Sequence, residues 1–211
     1  MADTTKWGPK PAWWDDAVKH LHQVDPVLRP ILDRFPTEYL RPRDDAFYTL
    51  VRAVVGQQIS VTAAQSIWER LEKLLGTVDV AHVAASDEDA LRSAGLSRSK
   101  ARYLLGFARE GSWFVDHPWD QEDDATAIKR MCALKGVGPW TAEMFLIFHL
   151  IRPDILPLKD IGLVRAIERN YAQCARLSDE EVEAIAEAWR PYRTAATWFL
   201  WRNLDPLPVE Y

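Results

Sequence analysis

Along most of this 211-residue chain, apolar residues recur at three- and four-residue spacing, the period of helices that bury one face. Trp13, Trp14, Val18 and Leu21 share such a face, and Asp25-Pro26 opens a second helix that reaches Phe35. Arg41-Pro42-Arg43-Asp44 is a break, with Asp44 as N-cap of the apolar run from Phe47 to Gly56. Ser60 caps the next helix, Val61–Leu75, which Gly76 closes. Val78–Ala85 alternates as a strand would, but its length and alanines favour a short helix. Ser86 opens a capped helix that stops at Gly95. Trp113–Trp119 reads as a loop, and Asp120–Asp124 as an acidic start to the helix Ala125–Leu134. Later come a helix over Ile161–Tyr171, and one opened by the Ser178/Glu181 capping-box pair and running to about Trp189. Pro191 kinks or restarts the last helix. The pattern predicts about ten to twelve helices and no secure strand.

One segment breaks the amphipathic rule. From Pro139 to Leu150 the chain is apolar nearly all round (Met144, Phe145, Leu146, Ile147, Phe148, Leu150), which predicts a buried helix. It is preceded by Leu134-Lys135-Gly136-Val137-Gly138 and followed by Leu156-Pro157-Leu158-Lys159-Asp160. The glycines permit a tight turn, and Pro139 suits the first helical position. The amides around Gly136, Gly138, Trp140 and Thr141 then lie at a helix N-terminus, where an anion such as phosphate is favoured. Alone, a Gly-Val-Gly between helices is a common turn, and a loop aspartate is usually a cap or a solvated charge.

Composition narrows the classes. A hydrophobic share of 48% is ample for a folded interior. No apolar run reaches membrane-spanning length, and Met1–Lys10 lacks the apolar core of a secretion signal. The expected setting is cytoplasmic. His20 and His22 point to different helix faces, which argues against a metal pair. Cys132 and Cys174 are too few for a four-cysteine metal or iron–sulfur site, and a cytosolic disulfide is not expected. A net charge of −5 runs against a nucleic-acid binder. The charges are segregated, however: acids gather at Asp15-Asp16, Asp120–Asp124 and Asp179–Glu183. Bases gather around Arg98, Lys100 and Arg102, at Lys129-Arg130, at Lys135, and at Lys159 and Arg165.

Four stretches together carry a family likeness: the elbow Val55-Gly56-Gln57-Gln58-Ile59-Ser60, the turn and basic helix start Gly95–Leu105, the hairpin through to Leu156-Pro157…Asp160-Ile161-Gly162, and Trp189-Arg190-Pro191…Trp201-Arg202. The chain resembles the helix-hairpin-helix DNA glycosylases (the HhH-GPD superfamily), most closely the alkylpurine branch that includes 3-methyladenine-DNA glycosylase II. The likeness spans about Asp44 to Arg202. It implies an all-α fold of two helical lobes with a DNA-binding cleft between them and no iron–sulfur cluster. The lobes expected are 38–150, ending in the hairpin, and 1–37 with 151–211. Some relatives carry an N-terminal β-domain, which this chain is too short to add.

The resemblance also assigns roles. Asp160 is the expected catalytic carboxylate, stabilising an oxocarbenium-like sugar and positioning or deprotonating water. Trp140, Trp201 and Met144 fall on pocket positions; Met144 stands where a bacterial relative has tyrosine, and Trp201 could equally be core. Gln57, Gln58, Lys135, Gly136, Gly138 and Thr141 are expected at the DNA, with Gln58 at the elbow tip that fills the gap left by a flipped base. The pattern of the bacterial alkyladenine enzyme has an apolar residue there, so Gln58 is a departure. Arg98 and Lys100 touch backbone phosphates or lie on a solvated helix face. The carbonyls of Cys132, Leu134 and Val137 map to a monovalent-cation site; no other cofactor is expected. Relatives that also cut the strand carry a lysine where this chain has Trp140, so base removal without nicking is expected. The activity implied is a monofunctional glycosylase, acting as a nucleoid-associated monomer on duplex DNA holding 3-methyladenine or 7-methylguanine. The alternatives are a glycosylase for deaminated or mismatched bases and a non-catalytic DNA-binding hairpin protein.

Overall fold

The structure, a computed structural model, describes residues 8–43 and 45–204, and of Ser112 the backbone alone. Among the described residues there are thirteen α-helices and no strand. They are α1 (Trp14–Val24), α2 (Arg29–Arg34), α3 (Ala46–Gly56), α4 (Val61–Leu75), α5 (Val80–Ala84), α6 (Glu88–Ser93) and α7 (Arg98–Arg109). After them come α8 (Gly111–Asp116), α9 (Asp124–Met131), α10 (Pro139–Phe148), α11 (Ile161–Tyr171), α12 (Asp179–Ala186) and α13 (Arg193–Leu204). No helix among the described residues is long and apolar enough to cross a membrane.

The chain divides into two compact units, one drawn from Met1–Pro42 and Leu146–Glu210, the other from Arg43–Phe145. In the first, Trp14 is buried against Trp198 (ring centroids 5.3 Å apart, edge-on) and Phe199 (5.5 Å). Asp25 is buried here with all its needs met. Its Oδ1 accepts the Val27 and Leu28 amides at 2.8 and 3.0 Å, and its Oδ2 accepts the Tyr171 hydroxyl and the Trp189 indole at 2.6 Å each. Burial and the Asp25 carboxylate push the Tyr171 phenol far above its ordinary value, so it remains a donor.

In the second unit, Phe114, Trp119 and Phe145 form an aromatic knot with centroids 5.2–5.5 Å apart. The Tyr48 and Trp68 rings meet edge-on at 4.6 Å, and the guanidinium groups of Arg43 and Arg52 cover them.

Several helix ends differ from the sequence expectation. Asp44 lies outside the described residues; the cap on α3 is Asp45, whose Oδ1 accepts the Tyr48 amide. Asp87 rather than Ser86 caps α6, since it accepts the Ala90 amide at 2.8 Å. Asp25 closes a tight turn, so α2 begins only at Arg29. The acidic run caps α9 through Asp123, and α9 ends at Met131, ahead of Leu134.

The largest correction concerns Trp113–Trp119, most of which is helical in α8. Its periodicity is too short to read locally. Packing of Phe114 stabilises it, and the Trp119 indole donates to the Phe114 carbonyl at 3.0 Å. The buried helix α10 stops at Phe148, two residues early. The Arg152 amide reaches back to the Leu146 carbonyl, and Ile151 takes φ 55°, a position usually left to glycine.

Candidate functional site

The hairpin sits in the second unit. Helix α9 ends at Met131, and two tightening bonds follow, Leu134 N–H to the Met131 carbonyl and Val137 N–H to the Leu134 carbonyl. Gly136 then adopts φ 97°, and a Cβ there would lie 2.3 Å from the Tyr103 ring. Backbone conformation and close approach therefore both require glycine. In α10 the Ala142 amide bonds to the Gly138 carbonyl, so the amides of Gly138, Trp140 and Thr141 fall before the first turn's bonds. Gly138 itself has open space about it and is not among the positive-φ residues, so neither close packing nor a left-handed conformation singles out glycine there.

The elbow is tied to this turn. Gln57 donates from Nε2 to the Gly136 carbonyl at 3.0 Å and to Thr141 Oγ1 at 2.8 Å. Lys100 donates to the carbonyls of Val55 at 2.8 Å and Gln57 at 2.7 Å, an ammonium on the last turn of α3. Burial pulls the Lys100 pKa below its ordinary value. Gln58 projects from this brace with φ 58°, exposed to solvent. A glutamine held in the left-handed region costs roughly 1 kcal/mol, which the bonds made by Gln57 just before it offset.

The remaining basic residues are more committed than their charge suggests. Arg98 and Arg102 both reach Glu88, at 3.2 and 2.8 Å, and Arg130 pairs with Glu122 at 2.7 Å. A groove of about 980 Å³ runs beside α7, with Arg102, Tyr103, Arg109, Trp113, Arg130 and Lys135 on its walls and Glu88 and Glu110 among them. Lys135 is exposed there, on the hairpin turn.

Asp160 belongs to the first unit. It is the N-cap of α11, with Oδ1 accepting the Leu163 amide at 2.6 Å. The same oxygen accepts the Trp201 indole N–H at 2.8 Å. Asp160 is 9% exposed and Trp201 4%. The Trp201 ring lies nearly parallel to Phe148, with centroids 6.0 Å apart and planes at 10°. Lys159, its neighbour in sequence, turns away to pair with Asp179, which raises its pKa and keeps it an ammonium.

Among the pocket positions, Trp140 is half-buried and Met144 has no exposed surface. The structure thus brings together Gln57, Gly136 and Thr141, and separately Asp160 and Trp201. Sequence reasoning gave no role to Tyr103, which lies against Gly136, or to Gly162, which lies against Asp160. Both stand in family-like stretches, Tyr103 in Gly95–Leu105 and Gly162 two residues after Asp160, but what each packs against appears only in the structure.

The carbonyls of Cys132, Leu134 and Val137 are neutral donors, which suits a monovalent ion better than a divalent one. The Leu134 carbonyl already accepts one bond and keeps a second lone pair. Cys132 is half-buried with a free thiol, raised in pKa by burial and then by Glu143.

A glycine turn ahead of a buried helix, and a buried carboxylate that accepts an amide and an indole N–H, mark a helical helix-hairpin-helix protein. The chain belongs to the HhH-GPD superfamily of base excision DNA repair proteins, whose description matches residues 51–191. The matched block holds the elbow, the hairpin and Asp160, and stops short of Trp201.

The DNA-3-methyladenine glycosylase of Saccharomyces cerevisiae is 29% identical over 231 residues, covering 88% of this chain and 78% of its own. DNA-3-methyladenine glycosylase 1 of Schizosaccharomyces pombe is 28% identical over 171 residues, 76% and 73% respectively. Among solved structures, the Schizosaccharomyces pombe 3-methyladenine DNA glycosylase Mag1 in complex with abasic DNA matches with a TM-score of 0.79 at 26% identity. The match covers 89% of this chain and 95% of that one.

Proposed function

We propose that this chain is a monofunctional DNA glycosylase of base excision repair, which flips alkylated purines of the 3-methyladenine and 7-methylguanine class out of duplex DNA and hydrolyses their N-glycosidic bond. The observation that carries the reading is the Asp160 carboxylate, buried at a helix N-terminus and held by two neutral N–H donors. A base inside a duplex cannot be reached, so the nucleotide must be extruded at a cost of a few kcal/mol, least where alkylation has weakened its pairing or stacking. The hairpin amides of Gly136, Gly138, Trp140 and Thr141 hold a backbone phosphate without reading sequence. Lys135, Arg98 and Lys100 add positive charge near the strand, and Gln58 fills the space left by the base. A monovalent cation on the carbonyls of Cys132, Leu134 and Val137 would add positive charge to the same turn.

The bond to an N3- or N7-alkylated purine breaks readily, because the base leaves as a neutral molecule from a cationic start. Acid catalysis is then little needed, and the Asp160 carboxylate faces the developing positive charge on the sugar and positions water. The aromatic faces of Trp140 and Trp201 attract a cationic base, at roughly 0.5–2 kcal/mol each. Met144 adds apolar wall. Strand cleavage needs an amine nucleophile, and Trp140 stands where that lysine would be, while Lys159 is engaged as an ammonium with Asp179.

The test is incubation of methylated duplex DNA with wild type and with Asp160→Asn, scoring free bases and nicks. Wild type releases 3-methyladenine and 7-methylguanine and leaves the strand intact. The variant loses release by about 100-fold or more while still binding an abasic duplex. Binding without release by either protein would instead indicate a non-catalytic hairpin module.

A further inference from the structure

An aspartate that only caps a helix needs one amide. Asp160 Oδ1 takes the Leu163 amide and also an indole N–H from a helix 41 residues further on. The donor is itself immobilised: α13 is buried from Thr194 through Trp201, and the Trp201 ring lies along Phe148. Beneath this bond stands Gly162. Its φ is ordinary, so left-handed freedom is not the reason for glycine. A Cβ there would lie 3.1 Å from Asp160 Oδ1, and 3.5 and 3.6 Å from Trp201 Cδ1 and Nε1. Glycine inside a helix is unfavourable relative to alanine. What it provides here is room for the carboxylate, since a Cβ would press on Oδ1 by a few tenths of an ångström while making only ordinary contact with the indole.

We propose that Trp201 is a positioning residue for the Asp160 carboxylate and that Gly162 is its clearance; the proposal rests on the catalytic reading of Asp160. The indole N–H, with the cap amide, fixes where Oδ1 sits before the sugar arrives, so no reorganisation is needed as charge develops. The amide and the indole are each neutral. An arginine or lysine at this place would hold the carboxylate as firmly but would cancel the negative charge that the sugar requires. A neutral indole orients the group without itself cancelling that charge. This differs from the wall role of Trp201, which works through a ring face; here the N–H is the working atom.

Trp201→Phe separates the two, since it keeps an aromatic ring and removes the donor. Single-turnover release of 3-methyladenine and of 7-methylguanine is measured at saturating protein, alongside Kd for an abasic duplex. Expected is a loss of about 10- to 100-fold in release rate, by the same factor for both bases, with Kd within about twofold. In an Asp160→Asn background, Trp201→Phe is expected to reduce the residual rate no further, because it acts through that carboxylate. A wild-type rate in Trp201→Phe overturns the proposal, as does a loss that differs several-fold between the two bases, or a full additional loss in the Asp160→Asn background. If Trp201→Phe does not fold, Gly162→Ala serves instead: several-fold slower release of both bases with DNA binding retained supports the proposal, and an unchanged rate overturns it. Wild-type release by Asp160→Asn alone is a different result, which removes the catalytic reading itself.

Discussion

On the proposed reading the working groups at the hairpin are main-chain amides, and the side chains around them hold a turn: Tyr103 lies against Gly136, Gln57 bonds to the Gly136 carbonyl and to Thr141, and Lys100 bonds to the elbow. At Asp160 the relation is reversed. There the proposed working group is a side chain, and it accepts an amide and an indole N–H. The two regions should therefore fail differently. The hairpin tolerates changes of side-chain chemistry and is intolerant of added atoms. The carboxylate site tolerates little change of chemistry at one atom, because removing a charge or a donor there leaves the shape intact and the reaction unassisted.

Gly136→Ala is the largest break on the hairpin side. It combines a left-handed φ with a Cβ that meets the Tyr103 ring, together about 2–5 kcal/mol of local strain. Affinity for an abasic duplex is expected to fall at least tenfold while the release rate at saturating protein changes little. Adding Tyr103→Leu should recover part of the affinity by relieving the contact and none of the φ strain. No recovery in a titration of the double variant would mean that the ring is not what requires glycine.

Asp25→Ala sharpens the comparison from within the first unit. Asp25 is also a buried aspartate with an indole donor, but its two oxygens hold four donors of the framework. Its removal leaves the Tyr171 hydroxyl and the Trp189 indole unpaired, at a cost of about 2–4 kcal/mol in unfolding free energy. Release per folded molecule is expected to be unchanged. Denaturant unfolding and single-turnover kinetics on the same sample check both halves, and Asp160→Asn should show the opposite pair of outcomes.

Glu88→Gln should have the smallest effect. Glu88 holds Arg98 and Arg102, and the Arg102 hydrogen bond leads in keeping its carboxyl below the ordinary 4.5. Freed guanidinium groups should tighten duplex binding a few-fold and steepen its salt dependence by about one ion per new phosphate contact. The sign with pH follows from the lowered value: the small stability contribution of Glu88 is present above the unfolded-state pKa and is lost as pH falls through the folded one. Affinity measured across a salt series tests the first point, and an unchanged slope would place both arginines away from the strand.

Local rules made much of the framework legible. Ser60 caps α4 and Gly76 ends it, the Ser178–Glu181 box opens α12, and the all-apolar run from Met144 to Phe148 is buried, as their residue types require. The failures share a cause. Helix α8 is short, and what stabilises it is the fit of Phe114 against Phe145 and Trp119, residues distant in sequence or hidden by a proline break. The caps at Asp45 and Asp87 were missed by one residue because neighbouring aspartates and serines cap equally well, and the choice depends on where the following turn packs.

By itself, then, the sequence determined the helical class, the glycine turn before the buried helix, and the acid that opens α11, because each depends on residues within a few positions of one another. Only the tertiary structure decided that Lys100 braces the elbow, that Tyr103 makes Gly136 obligatory, and that Trp201 and Gly162 attend the Asp160 carboxylate. Those pairings join residues tens of positions apart, and their energies come from close packing and single hydrogen bonds that no local period or motif encodes.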